Sequence, residues 1–493
     1  MLPLNAENLS RLPADLAVPA YDRGALRTGI VHFGVGGFHR AHQAMYLDRL
    51  MNDGKALDWA ICGVGVMPAD RRMQQVLDAQ DGLYTLVVKA PDGTLEARVI
   101  GSIREYLFAP DDPEAVIEKM ASPEVRIVSL TVTEGGYNFN AVTGEFMADN
   151  KDIQHDLALP NQPRTTFGLI TAAIERRRER GRPAFTIMSC DNIQGNGDAA
   201  RRSFVAFAAL RDPALATYVT ENVRFPNSMV DRITPVTTDE DRDEVRKHFG
   251  VDDGWPVVCE PFTQWTLEDS FGAGRPAWEE AGVQVVPDVE PYELMKLRLL
   301  NASHQALCYF GYLSGYRLVH DVARDPAFAK FLLTYMKREA EPTLEPVPGI
   351  NLDEYQHQLI ERFSNAQVKD TVARLCAESS DRIPKWLLPV IRHNLDTGGE
   401  IKLATAVVAS WARYDEGTDE QGAPIDIVDR LRDELNAIAL TQRDNPTAFI
   451  QNRELFGDLA DNARFVEAYT EVLESLHTRG AKATLEALVS EGS

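Results

Sequence analysis

The chain has 493 residues, of which 44% are hydrophobic and 25% charged, and its formal net charge is −23 at pH 7. This length exceeds one ordinary hydrophobic core and predicts two domains. Such an acidic chain lacks the basic face that phosphate backbones require, so we expect no nucleic-acid partner. No run of about 18 apolar residues and no leader-like N-terminus occurs, which predicts neither membrane spanning nor secretion.

Five cysteines stand alone, without a C-x-x-C pair: Cys62, Cys190, Cys259, Cys308 and Cys376. An odd number of isolated cysteines is typical of a reduced, cytoplasmic protein. No H-E-x-x-H motif occurs, so a metal site would need scattered ligands, and we expect no metal. For the assembly we expect a monomer or a small homo-oligomer.

The first chemical signal in chain order is GIVHFGVGG, from Gly29 to Gly37, followed by the helical pattern FHRAHQAMYLDRLM. A strand, a glycine turn and a helix in this order can hold a dinucleotide pyrophosphate on the free N–H groups of the helix. Gly34 allows the tight turn, and Gly36 lets the backbone approach the phosphates. The third glycine of G-x-G-x-x-G is replaced by His39, so the motif alone is weak evidence.

The next apolar run, Trp59 to Val66, predicts a second strand, after which an acidic residue would bind the ribose hydroxyls. Asp70 is the candidate. Asp53 has the more usual offset from the glycines, but it lies in an Asn-Asp-Gly turn. The alternative role of Asp70 is to cap a helix that begins near Arg71.

Two later apolar runs, Arg126 to Thr133 and Ala184 to Ser189, also predict strands, and polar residues follow both. Ligands bind beyond the carboxyl ends of strands in open α/β sheets, so Glu134 and Asn192 are candidate site residues. The structural alternative is that both are turn formers, which is the commoner role of a polar residue at a strand end.

The composition changes after Gly282, where Pro287 and Pro291 interrupt the chain. We therefore predict two domains, 1–286 and 287–493. The first is predicted to be α/β with a mostly parallel sheet, because helical patterns at 114–120 and 169–180 lie between its strands. The second is predicted to be all-α, with helical patterns at 325–339, 352–363, 403–414 and 464–476.

The second domain opens on PYELMKLRLLNASHQAL, from Pro291 to Leu307, which has helical spacing. Four polar residues fall within an arc of about 140° on this helix, at about 100° per residue: Glu293, Lys296, Asn301 and His304. Each needs an explanation because an unpaired buried polar atom costs about 1–3 kcal/mol. The structural explanation is an i,i+3 pair of Glu293 with Lys296, and backbone capping by the other two.

The spacing Lys296-x4-Asn301-x2-His304 resembles the signature of the polyol-specific long-chain dehydrogenases and reductases, the mannitol dehydrogenase family. Segments similar to that family occur along nearly the whole chain: GVGGFHRAH, TEGGY, MSCDN, FPNSMVDRITP, RFSN and RIPK. The resemblance implies a Rossmann-type N-terminal domain, a predominantly helical C-terminal domain and a site in the cleft between them.

The resemblance also implies roles for residues at matching positions. The implied catalytic residues are Lys296 as the general base, with Asn192, Asn301 and His304. The implied substrate-binding residues are Asp231, Glu293, Arg374 and Arg382. The implied cofactor-binding residues are Gly34, Val35, Gly36, Gly37, Phe38, Arg40, Asp70 and Glu134. Arg382 stands where some relatives have lysine, which changes the donor geometry and can shift the polyol preference.

These residues imply metal-independent interconversion of a polyol and its ketose with NAD(H), and D-mannitol with D-fructose is the expected pair. D-arabinitol dehydrogenation and hexuronate (fructuronate or tagaturonate) reduction are alternatives within the family. A phosphorylated substrate would require a dedicated basic cluster, which we do not find. NADP is a weaker alternative to NAD, since Ala69 precedes Asp70 and Arg71 follows it.

Two rival interpretations remain. Tyr292 to Lys296 matches Y-x-x-x-K, the catalytic pair of the short-chain dehydrogenases, but those chains are much shorter. We interpret Tyr292 as packing at the start of its helix. A non-catalytic dinucleotide sensor would retain the fold, but it would have no need of a base at Lys296.

Overall fold

The structure is a computed structural model that describes residues 1–140 and 144–490. It divides into two compact units, Met1–Glu290 and Pro291–Ser493. The first is α/β and the second is almost entirely helical, which confirms the predicted fold class. Among the described residues, no helix is long and apolar enough to cross a membrane. The domain limits predicted from the sequence, 1–286 and 287–493, stay a prediction.

The first unit holds the strands and nine of the α-helices among the described residues. The strands are β1 (Leu2–Pro3), β2 (Thr28–Phe33), β3 (Ala60–Gly65), β4 (Tyr84–Lys89), β5 (Leu95–Ile100), β6 (Ile103–Phe108), β7 (Ile127–Leu130), β8 (Thr186–Ser189), β9 (Ser228–Asp231), β10 (Val251–Asp252), β11 (Val257–Cys259), β12 (Gln264–Glu268) and β13 (Gln284–Val286). The helices are α1 (Gly37–Ala41), α2 (Gln43–Asn52), α3 (Arg71–Ala79), α4 (Pro113–Ala121), α5 (Lys151–Ala158), α6 (Thr166–Glu179), α7 (Asn196–Arg211), α8 (Pro213–Asn222) and α9 (Asp239–Phe249).

The main sheet is parallel and has the strand order β6-β3-β2-β7-β8. This is the order of a dinucleotide-binding fold, and it reverses between β2 and β7, where such folds bind their ligand. All six residues of β2 are buried. Neighbouring side chains of that strand enter opposite cores, Ile30 on one face of the sheet and Val31 on the other.

Several details of the first unit differ from the prediction. The edge strand β6 of the main sheet was not predicted. The two three-stranded sheets, β11-β4-β5 and β13-β12-β9, were not predicted either. β7 ends at Leu130 rather than Thr133, and Thr133 is no longer extended, with φ 65°. The helix after the glycine turn is broken at His42, whose Nε2 lies 2.8 Å from the Gln264 carbonyl oxygen.

The α-helices of the second unit are α10 (Glu290–Met295), α11 (Ala302–Leu313), α12 (Val319–Arg324), α13 (Pro326–Tyr335), α14 (Leu352–Phe363), α15 (Val372–Cys376), α16 (Ser379–Trp386), α17 (Leu388–Thr397), α18 (Lys402–Tyr414), α19 (Arg432–Ala439), α20 (Arg453–Phe456), α21 (Ala463–Arg479) and α22 (Ala481–Ser490). Helix α14 has the limits that the sequence pattern predicts. Helix α11 is buried in the core, where the Tyr309 ring lies 5.7 Å from that of Tyr414 on α18.

The helix predicted from Pro291 to Leu307 consists of three segments. Between α10 and α11 lies a π-helical segment, Lys296–Asn301. The N–H of Ala302 donates to the carbonyl of Leu297, five residues earlier, instead of four. The uniform angle of about 100° per residue assumed for this stretch is therefore wrong.

Candidate active site

The turn after β2 fits a phosphate chain. Gly34 has φ 90°, and a β-carbon there would collide with the carbonyl of Thr131, so no other residue fits. The N–H of Gly36 donates to the Gly34 carbonyl at 2.7 Å. A β-carbon at Gly36 would meet only that same carbonyl, at 3.9 Å, so the outer face of the turn is open to a close approach.

A network of buried polar side chains holds the carbonyl of Gly34 in this turn. Thr131 Oγ1 donates to the Gly34 carbonyl at 2.6 Å, and His32 Nε2 lies 2.9 Å from that hydroxyl. His32 Nδ1 lies 2.7 Å from Ser129 Oγ, and the His39 ring stacks on His32 with centroids 3.4 Å apart. Burial lowers the pKa of His32 to about 3 and that of His39 well below its usual value. Both rings are therefore neutral.

The other predicted cofactor residues near this turn lie at different depths. Val35 is buried, while Phe38 is half-buried and Gly37 begins α1. Arg40 is buried, and its Nη1 donates to the carbonyl of Trp255 at 2.5 Å. Burial lowers the pKa of Arg40. The structure thus places the Arg40 guanidinium in the interior, where it supports the turn.

Asp70 follows β3, at the carboxyl end of the sheet. Its Oδ2 accepts hydrogen bonds from the N–H groups of Val66 and Met67, both at 2.9 Å, and makes no side-chain cap for α3. Its bond from the Met67 N–H caps the single 3-10 turn Pro68–Asp70 that precedes α3, so the alternative capping role is seen at that turn and not at α3 itself. The neighbouring Arg71 pairs through both Nη atoms with Asp111, with Nη2 to Oδ1 at 2.5 Å. The positive charge of Arg71 is already balanced.

Asp191, which we did not single out from the sequence, holds two of the predicted site segments together. It accepts from the N–H groups of Thr133 at 2.8 Å and Val132 at 3.1 Å, and from the hydroxyl of Tyr137 at 2.7 Å. Burial raises its pKa. Glu134, which is exposed, directly follows Thr133, and Asn192, which is also exposed, directly follows Asp191. An aspartate after a strand resembles an ordinary turn former, so the sequence carried no distinct signal for this role.

Asp231 is the last residue of β9 and is 6% exposed. In the sheet it lies opposite Gln264 of β12. The next residue, Arg232, is also buried and donates to the carbonyls of Glu260 and Ala41. The backbone at Asp231 is therefore fixed on both sides.

In the second unit, three of the four polar residues predicted on the first helix are buried. Glu293 and Lys296 are each 7% exposed, and Asn301 is 4% exposed. The Nδ2 of Asn301 is buried, and no acceptor for it lies among the residues that the structure describes. Tyr292 donates its hydroxyl proton to the Pro348 carbonyl at 2.8 Å, which is the packing role predicted for it.

His304 lies on α11, one turn after Asn301, and is half-buried. Its ring packs on Phe363 with centroids 4.5 Å apart. The charge of His304 also acts on Asp370, a second residue that we did not single out from the sequence. Burial raises the pKa of Asp370, but the hydrogen bonds and charge of Arg374, with a further contribution from His304, hold it below its usual value.

The two predicted substrate arginines lie on consecutive helices, Arg374 on α15 and Arg382 on α16. Arg374 is 57% exposed at its side chain and pairs with Asp370 through Nε at 2.6 Å and Nη2 at 2.5 Å. Arg382 Nη1 donates to the carbonyls of Arg374 at 3.2 Å and Leu375 at 3.1 Å. Asp370 and Arg374 are thus paired, and α15, which carries Arg374, packs against the helix of His304. Arg382 joins them through its hydrogen bond to the Arg374 carbonyl.

Within residues 1–140 and 144–490, no three His, Cys, Asp or Glu side chains form a group that could hold a metal ion. The five cysteines are all buried and free.

The fold and these residues define a two-domain dehydrogenase, and family comparisons agree. The family model of the mannitol dehydrogenase Rossmann domain matches residues 28–280. The model of the mannitol dehydrogenase C-terminal domain matches residues 288–477. The chain belongs to the mannitol dehydrogenase family and is a polyol dehydrogenase by class, which confirms the resemblance found in its sequence.

Individual relatives are similar over almost the whole chain. Mannitol 2-dehydrogenase from Phaeosphaeria nodorum is 48% identical over 98% of this chain and 85% of that protein. The enzyme of the same name from Neosartorya fischeri is 46% identical over 98% of both chains. The Pseudomonas fluorescens mannitol 2-dehydrogenase structure, a ternary complex with NAD and D-mannitol, has 46% identity and a TM-score of 0.89, covering 99% of this chain and 100% of that one. A substrate-free D-sorbitol dehydrogenase has 38% identity and a TM-score of 0.91, covering 98% and 100%.

Proposed function

We propose that this protein interconverts D-mannitol and D-fructose with NAD(H), and that it needs no metal. The observation that carries the proposal is the buried amine of Lys296 and the buried amide of Asn301, with the half-buried imidazole of His304 on the same stretch of helix. The names of the relatives support it, since those 46–48% identical are mannitol 2-dehydrogenases. The solved structure at 46% identity holds NAD and D-mannitol.

The first unit would hold the cofactor. Its open turn at Gly34 and Gly36 fits the pyrophosphate, and Asp70 is the candidate acceptor for the ribose hydroxyls. When bound, NAD⁺ supplies the acceptor for the hydride that leaves the alcohol carbon. Arg71 does not favour a 2′-phosphate because Asp111 already holds its guanidinium. NAD is therefore the expected cofactor.

Lys296 is proposed as the general base. Oxidising a secondary alcohol requires the hydroxyl proton to leave as the carbon loses its hydride. Burial favours the neutral form of an amine, which is the form that accepts this proton. In the direction of ketose reduction, the ammonium form of Lys296 returns the proton to the carbonyl oxygen. The rate of oxidation should thus rise with pH while the rate of reduction falls.

The amide of Asn301 is proposed to donate to the oxygen that gains negative charge. Its Nδ2 is a buried donor with no acceptor among the described residues, so it is available to the substrate without breaking a bond. Asn192, in the first unit, is proposed as a second donor of the same kind. His304, held against Phe363, is proposed to bind a neighbouring hydroxyl and orient the polyol chain.

Glu293 and Asp231, both buried, and the exposed Glu134 are proposed to line the substrate and cofactor sites as the family resemblance implies. Arg374 and Arg382 are proposed to donate to polyol hydroxyls. D-sorbitol is a second candidate substrate, because the D-sorbitol dehydrogenase structure has a TM-score of 0.91 with this chain.

Absorbance in the NADH band tests this proposal directly. The purified protein is assayed with NAD⁺ and D-mannitol, D-sorbitol or D-arabinitol, and with NADH and D-fructose or a hexuronate. We expect D-mannitol and D-fructose to give the highest efficiencies. A clearly higher efficiency with D-arabinitol, D-sorbitol, a hexuronate or a sugar phosphate, which is assayed in the same way, would contradict the substrate assignment.

A further inference from the structure

We propose that Asp370 is a positioning residue that makes the substrate site selective for neutral sugars over sugar acids. This inference rests on the proposed function, since it concerns how Arg374 meets a polyol or ketose. Its basis is the carboxylate–guanidinium pair of Asp370 and Arg374. Helix α15, which carries Arg374, packs against α11, which carries His304.

Asp370 and Arg374 form a bidentate salt bridge. Two parallel hydrogen bonds join Asp370 to Arg374, from Nε at 2.6 Å and from Nη2 at 2.5 Å. The N–H of Thr371 also donates to Asp370 Oδ1, at 2.9 Å. The Asp370 side chain is only 12% exposed, whereas that of Arg374 is 57% exposed. A mostly buried carboxylate thus orients a guanidinium at the surface of its unit.

The backbone of Asp370 is tied to the chain that follows α11. The N–H of Val319 donates to the Asp370 carbonyl, and the N–H of Val372 to the Arg317 carbonyl, both at 3.0 Å. A bridge between Leu318 and Thr371 lies between these two bonds. The carboxylate therefore has a fixed position relative to the helix that carries His304.

The arrangement leaves Arg374 able to donate hydrogen bonds, while the pair of Arg374 and Asp370 carries no net charge. An arginine has five N–H groups, and the two bonds to Asp370 use one on Nε and one on Nη2. Among residues 1–140 and 144–490, Nη1 makes no hydrogen bond. A neutral hydroxyl can accept from Nη1. A substrate carboxylate would gain the same bond but would also meet the charge of Asp370.

Asp370 is anionic at neutral pH, because the bonds and charge of Arg374 outweigh the effect of burial and hold its pKa below the usual value. Arg374 in turn has a raised pKa, first through its hydrogen bond to Asp370. The two charges are thus permanent partners at the pH of catalysis, and the pair presents no net charge to a substrate.

D-Fructose and D-fructuronate form the test pair, since they differ by a carboxylate in place of one terminal hydroxymethyl group. Their reduction by NADH is compared in the wild-type protein and in Asp370→Asn, Asp370→Glu and Arg374→Gln. Where D-fructuronate is reduced too slowly, its inhibition constant against D-fructose replaces its efficiency. Asp370→Asn keeps an acceptor for Arg374 but removes the negative charge.

We expect Asp370→Asn to shift the preference towards D-fructuronate by about tenfold, the scale of one partly screened charge interaction. The KM for D-fructose should rise, since Arg374 is held less firmly, while turnover and the NADH dissociation constant change little. Asp370→Glu should keep the wild-type preference. Arg374→Gln, which leaves Asp370 uncompensated, should shift the preference about tenfold the other way.

A matched control is Asp461→Asn, which alters a similar two-bond pair with Arg453, at 2.7 and 2.8 Å, elsewhere in the second unit. It should leave the preference unchanged. An unchanged preference in both Asp370→Asn and Arg374→Gln, or an equal shift in Asp461→Asn, would overturn the inference. A wild-type protein inert towards D-mannitol and D-fructose would instead contradict the proposed function, before any variant is compared.

Discussion

Lys296 and Asn301 are the first and last residues of one π-helical segment, with α-helix on either side of it. Residues five apart point about 140° apart in an α-helix. In a π-helix, where hydrogen bonds join residues five apart, they lie nearly one above the other. The segment therefore turns the amine and the amide towards one side, as a base and an oxyanion donor acting on one hydroxyl group require. Single π-helical turns within α-helices are frequent at functional sites.

Substituting Asn301 tests its role as an oxyanion donor. Asn301→Ala is expected to lower turnover by about 10²–10³, the usual loss for one such donor. The NADH dissociation constant should stay unchanged, as measured by fluorescence titration. Ser303→Ala is the control, because Ser303 is also buried in α11 and its hydroxyl has no partner among the described residues. Equal losses in the two variants would assign the effect to helix packing.

Substituting Asp70 tests cofactor selection. A 2′-phosphate beside its carboxylate meets like charge and loses affinity, so Asp70→Ala should improve the use of NADP relative to NAD. Asp70→Asn is the sharper variant, because it keeps an oxygen for the N–H groups of Val66 and Met67. The two cofactor efficiencies are compared with D-mannitol held at saturation. If the ratio of the NADP to the NAD efficiency stays at the wild-type value in both variants, Asp70 only stabilises the turn after β3 and does not select the cofactor.

Chelation tests the need for metal. Full activity is expected after exhaustive treatment with a chelator, because Lys296 is proposed to take the proton that zinc helps to remove in other alcohol dehydrogenases. A zinc-dependent alcohol dehydrogenase treated in parallel shows that the chelation worked. Activity that is lost on treatment and regained with added zinc would contradict the lysine mechanism.

Glu339 is expected to make stability fall as pH rises. Burial raises its pKa from the usual 4.5 to about 7, although it accepts hydrogen bonds from the N–H groups of Leu403 and Ala404, both at 2.7 Å. Between these values the unfolded chain loses a proton that the folded chain keeps, so the free energy of unfolding decreases. At about 1.4 kcal/mol for each pH unit, the loss is about 3 kcal/mol.

The urea unfolding midpoint of Glu339→Gln, measured from pH 5 to pH 8, should therefore depend on pH less than that of the wild-type protein. The exposed Glu354→Gln is the control and should follow the wild-type curve. Parallel curves for Glu339→Gln and the wild-type protein would show that the unfolded and folded states bind this proton equally.

The parts of the fold that follow from local pattern could be predicted from the sequence. The buried run at Thr28–Phe33 is a central parallel strand, and α14 has the predicted limits. The π-helical segment could not be predicted, because residue spacing alone does not show where a helix adds a residue to a turn. Both Asp191 and Asp370 resemble ordinary turn formers, and their roles come from partners such as Thr133 and Arg374 that the fold supplies.

The central claim, that Lys296 is the general base, is tested most directly by Lys296→Ala with an added small amine. The account predicts that oxidation of D-mannitol is abolished while NADH still binds, and that methylamine partly and saturably restores turnover. Lys337→Ala is the control, because Lys337 lies in another π-helical segment, Met336–Ala340, and pairs with Asp353 at 2.7 Å. It should keep wild-type turnover with or without amine. A Lys296→Ala protein that keeps most of its turnover, or that loses NADH binding together with its fold, would show that Lys296 is a structural residue.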